Sequence, residues 1–454
     1  MSIALQKPQW LYPIFPIKLW QWLSAAVMLG CTLGLGYGTR QSAFGTILGW
    51  YTPFFLIYVG IASMARREHI GFWMVLAVVL RLALLPAEPL LSDDVYRFIW
   101  DGRLWIQGIS PFAHLPAWYM EPGHEVKGLS EALFQQLNSP EYFTIYPPVA
   151  QLVFACAAWL SPNELWGCIL VMRLFLLACE LGSLWLLLQL NDHFGSPPRR
   201  VLWYALNPLV IVELMGNLHF EAAMIFFLLL ALWWGGHTKL WPAAAAMALS
   251  IGTKLIPLMF GPLWIRRWGW PHAWRWLAGS GLIVALLFVP VVHGPLWDHF
   301  GESLDLYFRK FEFNASIYYL LRWLRWQQLG YNDIARLGPA LALLTAAIIL
   351  IWAWRERRAD WASLPQSMMW ALTCYLLLAT TVHPWYVTTL VALASLTPWR
   401  FPIVWSGVAI LSYHAYAHTP TKENFWFVGL EYAVVLGWLW VEWRQQPARS
   451  ERTI

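Results

Sequence analysis

The chain has 454 residues, of which 59% are hydrophobic and 12% charged. Soluble domains carry about 25% charged residues, so this composition excludes an ordinary soluble protein and indicates a chain solvated by lipid. The net charge of +5 comes without any basic tract interleaved with polar residues, so it is read as Lys and Arg kept in cytoplasmic loops and not as a nucleic-acid surface.

Apolar runs recur from end to end, with no polar block that would form a separate domain, so residues 1–454 read as one polytopic membrane domain. A helix needs about 20 apolar residues to cross the hydrocarbon core. Runs of that kind start near Trp20, Leu48, Gly71, Glu164, Arg200, Leu218, His272, Arg336, Leu364, Phe401 and Phe425. Shorter ones cover Leu240 to Gly252 and Leu255 to Ile265, and a third follows Pro384. The expectation is an all-α bundle of about 12–14 transmembrane helices. The first run, Trp20 to Tyr37, is expected to be a retained span and not a cleaved signal, because further spans follow at once. The 34 tryptophans suit the aromatic belts at the two membrane surfaces. Cys31, Cys156, Cys168, Cys179 and Cys374 sit in apolar stretches at no metal-ligand spacing and imply no disulfide framework.

The stretch Ser92-Asp93-Asp94-Val95-Tyr96-Arg97-Phe98-Ile99-Trp100-Asp101-Gly102-Arg103 predicts a short amphipathic helix at the interface. Ser92 is the expected N-cap and Gly108 the expected C-terminal stop. Asp93, Arg97 and Asp101 follow at i, i+4 and i+8 on one polar face. The plainer reading of Asp93 and Asp94 is that they cap this helix. The other is chemical: an adjacent carboxylate pair at a membrane surface can bind a metal or hold one carboxylate as a base. Arg97 either pairs with Asp93 or Asp101 or binds an anion.

The segment Tyr146 to Leu160 is apolar but opens with Pro147-Pro148 and is short for a span. If it crosses, the basic clusters after it fall outside. If it lies in the interface, Arg66-Arg67, Arg199-Arg200, Lys239, Arg266-Arg267, Arg355 with Arg357-Arg358, and the tail from Arg444 all sit in the cytoplasm, as the positive-inside rule asks. The second arrangement is adopted. It places residues 91–163 in a long external loop with interfacial helices, residues 293–332 in a second external loop, and both termini in the cytoplasm. Gly216 to Glu221, Lys254 and Thr381 to Trp385 then fall on the same external face. Lys254 either snorkels to the interface or binds an anion. His219 and His383 are either hydrogen-bonded interface histidines or site residues.

Taken in order, these motifs resemble polyprenyl-phosphate-mannose-dependent mannosyltransferases of the GT-C superfamily, which are similar in design to protein O-mannosyltransferases and lipid A aminoarabinose transferases. The resemblance covers about Leu91 to Tyr386. It rests on the Ser92 to Arg103 stretch, Tyr146-Pro147-Pro148, Asn207-Pro208 with Gly216-Asn217-Leu218-His219-Phe220-Glu221, Thr253-Lys254, Phe313-Asn314-Ala315-Ser316, and Thr381-Val382-His383-Pro384-Trp385-Tyr386. Ser110-Pro111-Phe112 stands where relatives often show Asn-Pro-Tyr, and Glu221 where many carry Asp.

The resemblance implies a GT-C-type bundle in a bacterial inner (plasma) membrane, with its active site external. The implied reaction is inverting transfer of a hexose, mannose by resemblance, from a polyprenyl-phosphate donor to a hydroxyl of a glycan or lipid acceptor. Asp93 falls where the catalytic aspartate lies, and Asp94 beside it. Arg97, Lys254, His383, Tyr146, Trp385 and Tyr386 are candidates for the donor phosphate and sugar, with Asp101, His219, Glu221 and Asn314 in support. Asp93, Asp94, His219 and Glu221 are the candidate ligands of a divalent cation, Mg²⁺ or Mn²⁺. Two alternatives are a transporter or flippase of lipid-linked sugars, which would call for inverted repeats and scattered intramembrane charge, and a polymerase or ligase of lipid-linked glycans.

Overall fold

The computed structural model of the chain describes residues 17–291, 299–302, 305, 309–357 and 359–450, with side chains as far as 445. Positions 293–298, 303, 304 and 306–308 of the second loop, Arg358, the side chain of Arg449 and the tail residue Arg452 therefore lie outside the described residues. All described regular structure is helical, apart from an isolated bridge between Phe313 and Thr381.

Among the described residues, six helices are long and apolar enough to cross a membrane: Leu19–Gly38, Phe44–Met64, Leu165–His193, Trp270–Val291, Ile334–Arg355 and Phe425–Gln445. Pro208–Gly216 and Glu221–Gly236 pass the same test only together, and the chain bends by 113° between them. Four apolar helices are shorter: Pro148–Leu160, Leu240–Thr253, Leu364–Leu378 and Pro384–Ala394. Full-length spans among the described residues are thus fewer than the 12–14 expected, because many apolar runs are broken into pieces. The run from Arg200 stops where Asn207 Oδ1 accepts the N–H groups of Leu209 (3.0 Å) and Val210 (3.3 Å), with Pro208 next to it. A π-helical turn, Ile211–Gly216, then leads into the bend. The run from Phe401 gives way after eight residues to a 3₁₀ stretch, Ala409–Ala417. Ile70–Leu82 has 13 residues, about 20 Å of helix against about 30 Å of hydrocarbon. Irregular backbone is tolerated at membrane depth only inside protein, and the residues from 201 to 223 are buried throughout.

Buried charge stitches these pieces together. Arg81 pairs with Glu180 at 2.9 Å, both fully enclosed; Arg81 also donates to the Ala205 carbonyl at 2.7 Å, and the Tyr204 hydroxyl donates to Glu180. Removing one member of such a pair would strand the other in an apolar interior. Arg173 has a different set of partners. Its guanidinium donates to the carbonyls of Leu85 (2.9 Å), Ala87, Met215 (2.9 Å) and Gly216 (3.0 Å). It therefore clamps the segment entering the first loop to the segment entering the bend.

The helix contacts sort the loops onto two ends of the bundle. At one end His193 and His237 stack at 4.4 Å, Arg200 and Arg400 both lie over Trp203, and Arg267 pairs with Glu356. At the other end the Lys254 ammonium meets Glu221 at 2.5 Å, and Trp166 Nε1 donates to the Pro86 carbonyl at 3.4 Å. The start of Leu165–His193 thus lies beside the entry to the first loop. Pro148–Leu160 begins next to Tyr146, whose hydroxyl reaches Asp94, and ends just before Leu165. Both of its ends therefore sit at the first-loop end, and it does not cross the bundle.

Candidate active site

The helix Asp94–Ile106 is held down along nearly its whole length. It packs on Pro148–Leu160 so closely that a β-carbon on Gly102 would lie 2.2 Å from the Phe154 carbonyl oxygen. The polar face read from the sequence turns inward. Arg97 Nε donates to Asp101 Oδ1 at 2.9 Å, and its Nη1 to the carbonyls of Ser139 (3.1 Å) and Tyr142 (2.8 Å). Asp101 Oδ2 accepts from Gln151 Nε2 at 2.9 Å, and Gln151 Oε1 from Trp105 Nε1 at 2.9 Å. Of the two readings of Arg97, the i, i+4 pair with Asp101 is the one formed. Arg97 and Asp101 are a clamp on the loop. Gly108, at φ +74°, stops the helix as expected. The residue before the helix is Asp93, whose side chain makes no capping bond, while the Ser92 hydroxyl accepts the Asp94 N–H at 3.4 Å.

The two acids differ sharply. Asp94 Oδ1 accepts from Asn138 Nδ2 at 2.7 Å, and Oδ2 from the Tyr146 hydroxyl at 3.1 Å. Asp94 Oδ2 also lies 3.9 Å from His219 Nδ1. The Asp93 carboxylate has no hydrogen-bond partner among the described residues, and the residue is exposed. Partial desolvation, and then the neighbouring Asp94 carboxylate, raise its pKa above the ordinary carboxylate value.

His219 arrives through the bend. The residue before it, Leu218, is buried with φ +58°, a left-handed conformation that costs a branched side chain of order 1–3 kcal/mol and is typical of functional sites. His219 Nε2 lies 3.3 Å from Glu213 Oε2, a fully buried carboxylate that also accepts from Asn217 (2.9 Å) and Tyr413 (2.8 Å). The His219 ring stacks on Trp385 at 3.8 Å, Trp385 on His383 at 4.4 Å, and His383 on Phe313 at 4.8 Å. Burial lowers the His383 pKa to about 3; Asp94 opposes this shift, and His219 and Lys254 add to it. His383 is therefore a neutral ring, able to donate one N–H but not to supply a cation.

Lys254 follows the last residue of Leu240–Thr253. Its ammonium donates to Glu221 Oε1 at 2.5 Å and lies 5.7 Å from the Tyr386 ring centroid. Glu221 is fully buried, whereas Lys254 keeps 17% of its side chain exposed. An ammonium has three donors, and Glu221 uses one of them.

The structure thus brings Asp94, Tyr146, His219, His383 and Trp385 into one network, with Asp93 at its open edge and Lys254, Glu221 and Tyr386 joined beside it. It does not assemble the four proposed metal ligands. Glu221 faces an ammonium and His219 lies against Glu213, and no group of three or more His, Cys, Asp or Glu suited to a metal occurs among the described residues. Asn314 is set apart from the acids, one residue beyond the end of the ring column. The sequence reading missed Glu213 and Asn138. Glu213 left one trace, a lone carboxylate in an apolar run, which in a membrane protein demands a buried partner.

A family described as Alpha-(1->6)-mannopyranosyltransferase, N-terminal domain, matches residues 21–269, more than half of the chain. The chain is similar to alpha-(1->6)-mannopyranosyltransferase B of Corynebacterium glutamicum, at 26% identity over 41% of this chain and 30% of that protein. Alpha-(1->6)-mannopyranosyltransferase A of Mycobacterium tuberculosis is 28% identical over 42% of this chain and 36% of its own length. The similarity to each relative thus spans about a third of its length. The family match includes Asp93, Asp94, Tyr146, Glu213, His219, Glu221 and Lys254, and ends before Asn314, His383 and Trp385.

Proposed function

The chain belongs to the family of alpha-(1->6)-mannopyranosyltransferases, and from that membership we propose that it transfers a mannosyl group from a polyprenyl-phosphate donor to a glycan or lipid acceptor at the external membrane surface. The observation that carries the reading is the division of labour between adjacent acids: Asp94 is tied by Asn138, Tyr146 and His219, while Asp93 is unpartnered and open. A general base needs a free lone pair, access to the incoming hydroxyl and a pKa nearer the working pH than an ordinary carboxylate. Asp93 meets these requirements.

In one displacement Asp93 takes the proton of the acceptor hydroxyl, the hydroxyl oxygen bonds to the anomeric carbon, and the bond from that carbon to the donor phosphate breaks. The phosphate leaves with the electron pair. Inversion that gives an α link starts from a β-linked donor, and a 1→6 link from a primary hydroxyl, which is the least hindered acceptor a sugar offers. Charge develops on the departing phosphate, where cationic donors act most strongly. Lys254 is the nearby cation with donors to spare, and Tyr386, Trp385 and the neutral N–H of His383 line the same side. Because the four candidate metal ligands do not converge, no step is assigned to a divalent ion.

The test is transfer from labelled polyprenyl-phosphate mannose by the purified chain, with Asp93→Asn alongside. Full activity in that variant would remove the proposed base. Labelling of an engineered cysteine at position 93 in sealed, oriented membranes reports the face: reaction with an impermeant reagent from the cytoplasmic side alone would overturn the external placement.

A further inference from the structure

The column of rings beside Asp94 ends on Phe313, and the next residue, Asn314, is fixed more firmly than a turn requires. Asn314 sits at φ +49° and is buried. Its N–H donates to Glu423 Oε1 at 2.5 Å, its Nδ2 to Glu431 Oε2 at 3.1 Å, and its carbonyl accepts from the Tyr432 hydroxyl at 2.6 Å. Both carboxylates are fully engaged. The second oxygen of Glu423 accepts the Tyr319 hydroxyl, and that of Glu431 accepts Trp405 Nε1 at 2.9 Å. Every carboxylate oxygen of the cluster thus faces a protein donor. Two desolvated carboxylates and a left-handed asparagine are expensive ways to close a loop.

Their effect reaches the acids through a short chain of contacts. Phe313 N–H donates to the Thr380 carbonyl at 3.1 Å, and Val382 N–H to the Phe313 carbonyl at 2.8 Å. These two bonds form the bridge opposite Thr381 and set the Phe313 ring on His383. From there the stack runs through Trp385 to His219, which faces Asp94 at 3.9 Å. Glu423 and Glu431 both lie beyond the stretch matched by the family.

We infer that Glu423 and Glu431 are positioning residues for the transfer reaction: by locking Asn314 they hold the Phe313–His383–Trp385–His219 column, and so the His219 side of Asp94, in register. The inference rests on the reading of Asp93 and Asp94 as the reaction centre. Glu431→Gln keeps the volume but replaces one acceptor oxygen with a donor, so the bonds from Asn314 and Trp405 cannot both persist in their present form. Asn314→Gly keeps the left-handed backbone and removes only the side-chain bond.

The experiment is steady-state transfer from labelled polyprenyl-phosphate mannose by the purified full chain, corrected for folded protein, with thermal unfolding measured in parallel. In Glu431→Gln and Glu423→Gln, kcat falls by about tenfold to a hundredfold, the scale of a small misplacement near a reacting group. The donor KM rises by less than kcat falls, because the substituted carboxylates reach the donor side only through His383 and Trp385 of the column. Asn314→Gly shows a smaller loss in the same direction. Glu431→Gln combined with His383→Phe is no slower than the worse single variant, since both act along one column. Variants that lower the unfolding temperature but keep kcat per folded molecule would overturn the inference, as would multiplying losses in the double variant. If the glutamate variants fail to fold, Phe313→Leu cuts the column at its far end without touching the carboxylates; unchanged kcat there overturns it equally. A wild-type chain that transfers no mannose would overturn the activity reading and this inference together. An active wild type with an inactive Asp93→Asn and an unchanged kcat in Glu431→Gln would overturn this inference alone.

Discussion

Asp94 Oδ2 lies 3.9 Å from His219 Nδ1, across the bend that joins Pro208–Gly216 to Glu221–Gly236. The contact brings the first loop and the broken helix to one point, with buried Glu213 at 3.3 Å from the far side of the imidazole. It also explains why two consecutive acids differ. Asp94 is built into the protein, and Asp93, turned the other way at the start of the helix, keeps its lone pairs for an incoming group.

That difference predicts a pH profile. A base acts only when deprotonated, so activity falls as pH drops through the Asp93 pKa, which lies above the ordinary carboxylate value. Part of the elevation comes from the Asp94 charge. Asp94→Asn removes that charge, lowers the Asp93 pKa, and moves the acidic limb of kcat/KM to lower pH while also reducing the maximal rate. Asp93→Asn abolishes the limb and costs about 10²- to 10⁴-fold in rate. The check is a kcat/KM profile across the acidic range for all three proteins. A limb that stays in place in Asp94→Asn would mean that another group titrates.

Lys254 and Glu221 must be tested together. Lys254→Met leaves the fully buried Glu221 carboxylate without its cation, at a cost of about 3–5 kcal/mol, so lost activity in that variant would mix folding with chemistry. Adding Glu221→Gln removes the stranded charge and restores thermal stability toward wild type. Activity is not restored, because the leaving phosphate still lacks its cation. Recovery of transfer in the double variant would show that Lys254 serves only to neutralise Glu221.

How much of this could be read from the residues follows from what local pattern can carry. The acid pair, Tyr146, His219, Lys254 and the His383-Pro384-Trp385 element were all legible, because polar residues at the ends of apolar runs stand out. Partner choice was not. That Lys254 meets Glu221, that His219 meets Glu213, and that Arg97 turns to Asp101 and two loop carbonyls are tertiary facts. The path of the broken span was not legible either, because hydropathy does not register the π-helical turn at Ile211–Gly216 or the 113° bend after it. Glu423 and Glu431 were invisible as a unit, since their shared target is Asn314, far away in the chain.

Arg173 is predicted to govern the distance between the acids and His219. It donates to the carbonyls of Leu85 and Ala87 on the path to Asp93, and to those of Met215 and Gly216 on the path to His219. Arg173→Met withdraws these donors from both paths; each buried carbonyl left unpaired costs about 1–3 kcal/mol. The unfolding temperature drops and activity falls with it. Arg173→Lys keeps the charge, but a single ammonium cannot span both segments, so it recovers some stability and little activity. Full activity in Arg173→Lys would show that charge alone suffices.

Gly102 offers a cleaner geometric test, because its side chain takes no part in any chemistry. A β-carbon there would sit 2.2 Å from the Phe154 carbonyl oxygen and 3.2 Å from the Ala158 β-carbon. The nearest obstacle is backbone and cannot rotate away, so Gly102→Ala must push Asp94–Ile106 off Pro148–Leu160. Overpacking of this kind costs about 1–3 kcal/mol. The displacement acts directly on the bonds between the two segments, Gln151 to Asp101 at 2.9 Å and Tyr146 to Asp94 at 3.1 Å. Gly102→Ala is therefore expected to lower the unfolding temperature and kcat together, and Gly102→Val to lower both further. Gly71, whose β-carbon would meet nothing within 4 Å, serves as the control: Gly71→Ala leaves kcat unchanged. Equal kcat in Gly102→Ala and wild type would mean that the acid pair does not depend on the close approach of the two helices.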